Sequence, residues 1–340
     1  MKSLVTGANG FVGSHLARRL ISAGDSVRVL TRPQCQTAAL SGLEVECVEG
    51  DLRDPASLTR AVDGVDRVFH VAADYRLWSR NPQEIYESNV TGTRNLLEAA
   101  QRDGVGRFIY TGTVATVAVD RPKRPDEHTE AKLDEMIGHY KRSKWLAEQE
   151  VLKAARNGAP VVIAMPTTPV GPGDWKPTPT GKLIVDFLKG QMPGYVDTGL
   201  NFVAVEDVAE GHVLVAEKGQ IGERYLLGAE NLTLKQLLDC LASITGKKPP
   251  RLKIPHAVAL GFAYAENTYS RILRRTPQIP VEGVKIARHF MFVECSRAAR
   301  ELGFAPGSVR GALERAVAWY EANGYVPDSR RNRVAQASAA

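Results

Sequence analysis

Residues 2–13 read KSLVTGANGFVG, and the reading of this stretch decides the fold. KSLVT is a short apolar run of strand type. Gly7, Gly10 and Gly13 then stand three apart, and Phe11, Val12, Leu16 and Leu20 follow at helical spacing. The pattern is strand, tight turn, helix. Glycines there let the backbone turn sharply and approach a pyrophosphate, while the helix N-terminus offers free N–H groups and a positive dipole end. The spacing is GxxGxxG in place of GxGxxG. It predicts a dinucleotide site at the start of an α/β chain.

Working outward, the second strand is Ser26–Thr31 and the next residue is Arg32. An acidic residue at this place would bond a ribose 2′-hydroxyl, whereas an arginine suits a 2′-phosphate. Asp25 precedes the strand, at its wrong end. NADP(H) is therefore expected over NAD(H), with NAD(H) the alternative. Val45–Val48 forms a third strand ending in Gly50, Asp51 and Leu52. Asp54 and Pro55 then supply an N-cap and a proline at the first helical position for a helix to Val62. Arg67–Val71 is a fourth strand followed by Ala72 and Ala73, small residues over which a cofactor can pass. A helix is expected from Pro82 to Arg102, a fifth strand over Arg107–Thr111, and a sixth over Pro160–Met165.

Between the fifth and sixth strands lies YKRSK, which puts Tyr140 and Lys144 four residues apart on one helix face. A nearby ammonium lowers a phenol's pKa, so the pair is expected to move a proton at an alcohol or carbonyl oxygen. Alternating strands and helices in the first half predict a doubly wound parallel sheet of Rossmann type, residues 1–170. After Pro166, TTPVGPGDWKPTPTG reads as a long loop covering a site. Residues 171–326 read as a smaller mixed substrate lobe interleaved with the sheet, ending in a helix over Val309–Asn323. Residues 327–340, with Arg330, Arg331 and Arg333, read as a basic Ala/Ser tail.

Composition excludes several classes. The 340 residues carry 44 Lys/Arg against 38 Asp/Glu, a net charge of +6, which suits an anionic cofactor. No basic stripe interleaved with aromatics suggests nucleic acid. The four cysteines (Cys35, Cys47, Cys240, Cys295) form no CxxC, and the seven histidines form no HExxH or HxxxH, so no metal is expected. No signal peptide precedes the first strand, and a reducing cytoplasm is the expected setting. The stretch Ile254–Ala265 is too short to span a bilayer. Its continuation to Leu273 can touch a membrane surface, but a lid or core helix is the preferred expectation.

TGANGFVG, the third-strand GDL, HVAA at 70–73, NVTGT at 89–93 and YKRSK occur in this order. Together they resemble the extended short-chain dehydrogenase/reductases, over the chain to about Tyr325. VRVLTRP, NFVAVEDVAEGHVLVAEKG and GERYLLG are most similar to the dihydroflavonol-reductase-like branch and to bacterial proteins named hopanoid-associated sugar epimerases. The resemblance implies that Gly7, Asn9, Gly10, Phe11, Val12 and Gly13 carry the pyrophosphate. It assigns the 2′-phosphate to Arg32, the adenine side to Asp51 and Leu52, and the cofactor's middle to Ala72 and Ala73. Pro166 and Thr167 would flank the nicotinamide. Tyr140 would be the general acid/base, and Lys144 would hold the ribose and depress the tyrosine pKa. One departure stands out: the family's catalytic serine is matched by Thr113, which keeps the hydroxyl and adds a methyl.

Three functions are compatible with this reading. They are net NADPH-dependent reduction of a ketone or aldehyde, epimerisation of a sugar by transient oxidation, and cofactor sensing without turnover. Tyr75, Leu77, Trp78, Trp175, Tyr195 and Phe202 are candidates for an apolar substrate pocket, while Lys176, Lys182 and Lys189 are equally explained as surface. Leu96, Leu97, Trp145 and Leu146 are candidates for a homodimer interface between the two long helices, and equally for the core.

Overall fold

The structure is a computed structural model and describes residues 1–32, 38–117, 123–273 and 275–326; Cys35 and the 327–340 tail lie outside them. The main sheet is wholly parallel. In chain order its strands are β1 (Lys2–Thr6), β2 (Ser26–Thr31), β3 (Val45–Glu49), β4 (Arg67–His70), β5 (Arg107–Thr111) and β6 (Val161–Pro166). After β7 (Thr168–Val170) and β8 (Gly199–Ala204) of a second sheet, β9 (Arg224–Leu227) returns to the first. The order is β3-β2-β1-β4-β5-β6-β9, so the chain reverses direction between β1 and β4. That reversal opens a crevice at the carboxyl ends of these two strands. The second sheet is mixed: β10 (Glu230–Thr233) lies antiparallel to β8, and β7 and β11 (Phe290–Met291) lie parallel to it.

Helices α1 (Phe11–Ser22), α2 (Pro55–Val62), α3 (Gln83–Tyr86), α4 (Gly92–Arg102), α5 (Gly138–Arg156), α6 (Pro179–Leu188) and α7 (Val205–Lys218) connect these strands. The remaining helices are α8 (Leu234–Thr245), α9 (His256–Ile272), α10 (Val281–Ile286), α11 (Ser296–Leu302) and α12 (Val309–Ala322). Local chemistry starts several of them. Asp54 accepts from the Ala56 amide ahead of α2, with Pro55 next to it. Thr178 caps α6, Ser308 caps α12, and Thr233 with Gln236 forms a capping box on α8.

Packing then sorts the helices onto the sheet. One face buries Leu58, Leu96, Phe108, Ala147 and Val151 beneath α2, α4 and α5. The other buries Leu16, Leu20, Phe69, Val208 and Leu302 beneath α1, α7 and α11. A third core, with Ile184, Leu188, Phe202, Leu241 and Leu313, holds α6, α8 and α12 against the small sheet. Each fully buried leucine or phenylalanine contributes about 1.5–3 kcal/mol relative to exposure.

The structure refines several expectations. The helix expected over 82–102 is interrupted by a π-turn at Glu87–Thr91. The region after Pro166 is not all loop: β7 adds a strand to the small sheet, and Thr178 with Pro179 starts α6. The residue 170 boundary therefore falls at the end of a strand of the small sheet, while β9 belongs to the large one. Leu96 and Leu97 are core residues and are not available to a partner; Trp145 and Leu146 are half-buried. Finally, α9 is neither core nor closed down as a lid, since only Ala263 and Ser270 of its residues are buried.

Candidate active site

The crevice holds a cleft of about 1280 Å³, larger than the roughly 300–1,000 Å³ of a typical small-ligand pocket. It is sized for a dinucleotide together with a second molecule. Every cofactor-binding and catalytic candidate named above lines it, from Gly7 to Thr167.

At one end the backbone folds tightly. Gly7 has φ +70°, and a Cβ there would lie 2.7 Å from the Ala72 backbone; a Cβ at Gly13 would run into the Gly7 carbonyl. No larger residue fits either place. The Gly10 amide donates to the Gly7 carbonyl at 2.9 Å. α1 has no side-chain cap, where α2, α6, α8 and α12 each have one, and it carries no acidic residue in its first turn. Its uncapped amides, set in a cradle that a Cβ would fill, fit a pyrophosphate.

A buried polar chain holds this cradle. The Ala72 amide donates to Thr6 Oγ1 at 3.2 Å. His70 reaches Thr6 Oγ1 through Nδ1 at 2.8 Å and Thr93 Oγ1 through Nε2 at 2.9 Å. Thr93 gives its own proton to the Asn89 carbonyl, so His70 donates from Nε2 and accepts at Nδ1. Burial, aided by the Lys144 charge, pushes His70 down to about 3 and keeps it neutral.

At the β2 end, Arg32 is exposed on the cleft wall. Asp51 is gripped by Arg53, with Nε to Oδ1 and Nη2 to Oδ2 both at 2.8 Å. That bidentate bond is the main reason the Asp51 carboxyl lies below its ordinary range. Leu52 is buried against Gly92, and its carbonyl accepts from Asn95 Nδ2 at 3.0 Å. Two arginines thus flank this end, and sequence reasoning named only Arg32. The DLR spacing was the available signal for Arg53.

At the other end the π-turn matters. It projects Asn89, whose amide donates to the Asp74 carbonyl and to Ser143 Oγ, both at 2.9 Å; its oxygen accepts from the Asp74 amide at 2.7 Å. Ser143 Oγ in turn donates to the Tyr140 carbonyl at 2.8 Å. Asn89 therefore ties the loop after β4 to the start of α5 and sets where Tyr140 stands. π-turns of this kind are frequent at functional sites.

Tyr140 stands beside Thr113, whose side chain favours the phenolate, and the Thr113 hydroxyl accepts from the Ala115 amide at 3.2 Å. Part of the Tyr140 residue remains accessible from the cleft, but its hydroxyl is enclosed. Burial raises its pKa; the Thr113 side chain opposes this and the Tyr75 phenol adds to it. The expected lowering by Lys144 does not occur. The Lys144 ammonium instead donates to the Thr111 carbonyl at 2.8 Å and lies 4.3 Å from the centre of the Tyr110 ring. Desolvation, partly offset by Glu148, brings Lys144 down to about 7. A lysine so easily neutralised does little to stabilise a neighbouring phenolate.

Thr111 is held from behind by His212. His212 Nδ1 donates to the Val208 carbonyl at 2.7 Å, leaving Nε2 to accept from the Thr111 hydroxyl at 3.0 Å. Asp174 organises the cover of the cleft, accepting from the Thr178 amide and hydroxyl and from the Tyr320 hydroxyl at 2.8–2.9 Å.

Beyond Tyr140 the wall is mostly apolar, with Leu77, Leu200, Ile286 and Met291, and also contains Tyr75 and Trp175. Phe202 and Tyr195 belong to the lobe core, and Trp78 is not on this wall. Lys176 lines the cleft, while Lys182 pairs with Asp186 at 2.5 Å. Lys141 is the residue that sequence reasoning missed. It lines the same wall at 7% exposure, and among the described residues the partner of its ammonium is Met291 Sδ at 3.8 Å. Burial alone brings it down to about 8. Nothing in the pattern YKRSK distinguishes an inward Lys141 from an outward one. Among the described residues, no group of three or more His, Cys, Asp and Glu side chains forms a metal site.

The profile of the NAD dependent epimerase/dehydratase family matches residues 3–228. The chain belongs to that family. It is an NAD(P)-dependent enzyme of the short-chain dehydrogenase/reductase superfamily, which sets aside the sensing role. It is 43% identical to a Synechocystis protein named "Putative dihydroflavonol 4-reductase", over 95% of each chain. Identity to sterol demethylase protein B of Methylococcus capsulatus is 37%, over 96% of this chain and 100% of the other. A solved nucleoside-diphosphate-sugar epimerase from Pseudomonas aeruginosa superposes with a TM-score of 0.80 at 30% identity, covering 96% of this chain and 99% of that one.

The titration of Lys144 has a measurable consequence for the cofactor-free enzyme. Unfolded lysine titrates at 10.5 and folded Lys144 at about 7. Between these values the unfolded chain binds the extra proton, so this residue makes stability rise with pH from about 7 to 10.5. Lys144→Met should therefore be most stabilising relative to wild type below pH 7, with the gain shrinking through that window in urea titrations. A pH-independent difference would refute the buried, easily neutralised ammonium.

Proposed function

We propose that the enzyme transfers hydride between NADP(H) and the carbonyl carbon of an apolar ketone or aldehyde, acting in net reduction. The observation that carries this reading is the grouping of Thr113, Tyr140 and Lys144 where the cradle meets an apolar wall. A nicotinamide held beside Pro166 and Thr167 would supply or accept the hydride. The protein's own part is proton transfer and positioning. The raised pKa of Tyr140 keeps the phenol protonated at neutral pH, the state needed to donate to a substrate oxygen as the carbonyl is reduced. Thr113 stands beside Tyr140 and would direct its hydroxyl to the same oxygen. Lys144 would serve the ribose of the cofactor, and its binding there would bring the charge nearer the phenol.

Arg32, with Arg53 across the same end, supports NADP(H). Two guanidiniums there outnumber the one carboxylate, and Arg53 already occupies Asp51, which would otherwise be the acceptor for a ribose hydroxyl. The likeness to sterol demethylase protein B agrees with an apolar substrate.

Sugar epimerisation is the second reading, favoured by the likeness to the nucleoside-diphosphate-sugar epimerase. It requires the same phenol to act first as a base, which its raised pKa disfavours. Of the lysines considered for a diphosphate, Lys176 is on the cleft wall but Lys182 is committed to Asp186.

Lys141 narrows the substrate. A buried ammonium on an apolar wall, next in sequence to Tyr140, suits a carboxylate or other strongly accepting oxygen near the reacting carbonyl. A 3-oxo acid with an apolar chain has this shape.

Three measurements test the reading. With an accepted substrate, NADPH absorbance should fall in step with product. Tyr140→Phe should cut kcat by about 10²–10⁴ while cofactor affinity stays near wild type. Product formed at constant absorbance would move the assignment to epimerisation. Arg32→Ala should raise the Kd for NADPH about tenfold, equivalent to about 1.4 kcal/mol, and leave that for NADH nearly unchanged; equal effects on both would remove the 2′-phosphate role. Lys141→Met should raise KM for a medium-chain 3-oxo acid by about 10–100-fold, the range of a charge-assisted hydrogen bond. The matching methyl ketone should be hardly affected, and equal losses for both would show that Lys141 only shapes the wall.

A further inference from the structure

Helix α9 presents an apolar face to solvent. At about 100° per residue, Val258, Phe262, Tyr269, Ile272 and Leu273 fall within an arc of about 100°. The exposures of Phe262 and Ile272 are 61% and 73%. The buried Ala263 and Ser270 lie about 120° around the helix from the centre of that arc. The exposed stripe is therefore separate from the face that packs on the protein. A contiguous apolar face of this kind marks an interaction surface.

Charge identifies the partner. From Lys247 to Arg288 the sequence carries nine Lys/Arg against two acids, Glu266 and Glu282, a net +7. The whole chain is +6, so all other residues together sum to −1. The positive surplus of the sequence thus falls in the segment that contains this helix, with Lys253 paired to Asp197 and Arg275 to Glu266. Arg275 stacks over Tyr269 at 5.0 Å and Lys285 lies 5.8 Å from the Tyr264 ring centre, pairing cations with rings beside the stripe. A second copy of the same segment would bring like charges together. An anionic lipid surface takes the apolar stripe and the cations at once.

The opposite side of α9 connects to the cleft through α10. His256 Nε2 bonds the Val284 carbonyl of α10 at 2.6 Å, and Asn267 Nδ2 donates to the Ile279 carbonyl at 2.8 Å. At its far end, α10 contributes Ile286 to the apolar wall. Among the described residues, no helix is long and apolar enough to cross a membrane. We propose that α9 docks the enzyme on the surface of an anionic bilayer, with α10 joining that surface to the catalytic cleft. The proposal does not depend on which carbonyl compound is reduced.

Flotation of the full chain with vesicles tests it. Vesicles of phosphatidylcholine and phosphatidylglycerol in a roughly 3:1 ratio supply the anionic surface; phosphatidylcholine alone is the control. The protein should float with the anionic vesicles at least tenfold more than with the control. Binding should be largely lost in about 1 M salt, where the Debye length is about 3 Å. Because both side chains are exposed, the Phe262→Ser, Ile272→Ser double variant should fold and bind NADPH as wild type does while losing vesicle binding at least tenfold. The proposal is overturned by absence of binding, by equal binding to both vesicles, or by a double variant that still floats. It is also overturned if sedimentation equilibrium shows a wild-type dimer that the double variant converts to monomer.

Discussion

The close approach of the Gly7 backbone to that of Ala72 governs the rest of the site. β1 and β4 are neighbours in the sheet, and the chain leaves them toward opposite faces. Their carboxyl ends can come together only where the residues beyond them carry little or no side chain. Satisfying that constraint leaves the first turn of α1 open, with amides that no side chain caps. The Thr6, His70 and Thr93 chain holds the arrangement from below without introducing charge, because His70 stays neutral when buried.

The reacting end depends on a different effect, the removal of water from ionisable groups. Tyr140, Lys144 and Lys141 are all shifted toward their neutral forms chiefly by burial. The Thr111 carbonyl and Tyr110 ring give the Lys144 ammonium local partners, while Lys141 has a thioether. A dry phenol beside a threonine hydroxyl stays protonated, the form in which it carries a proton to donate. Two dry ammoniums are suited to recovering their charge when an anionic or polar ligand arrives. The three groups therefore share one desolvated wall of the cleft.

Much of this was legible in the residues because it is local. Turn glycines, the Asp54 and Pro55 start of α2, and the apolar strands from Lys2 to Met165 each act through a few neighbouring residues. Long-range placement was less legible. The π-turn at Glu87–Thr91 has no composition that marks it, yet it projects Asn89 and so positions Tyr140. Leu96 and Phe202 look alike as apolar residues, but one packs under the main sheet and the other within the lobe. The apolar run in α9 read as a lid or core helix, and most of it is exposed.

The sequence alone determined the strand-turn-helix cradle, the order of the first six strands and the pairing of Tyr140 with Lys144 on one helix. These follow from backbone conformational limits and helical periodicity, which act over a few residues. Only the tertiary structure decided that Lys144 faces Thr111 and Tyr110 instead of lowering the Tyr140 pKa, and that Lys141 points into the cleft. It also decided that Arg53 occupies Asp51 and that α9 stays uncovered. Burial sets each of these outcomes, and burial depends on which distant segments pack together.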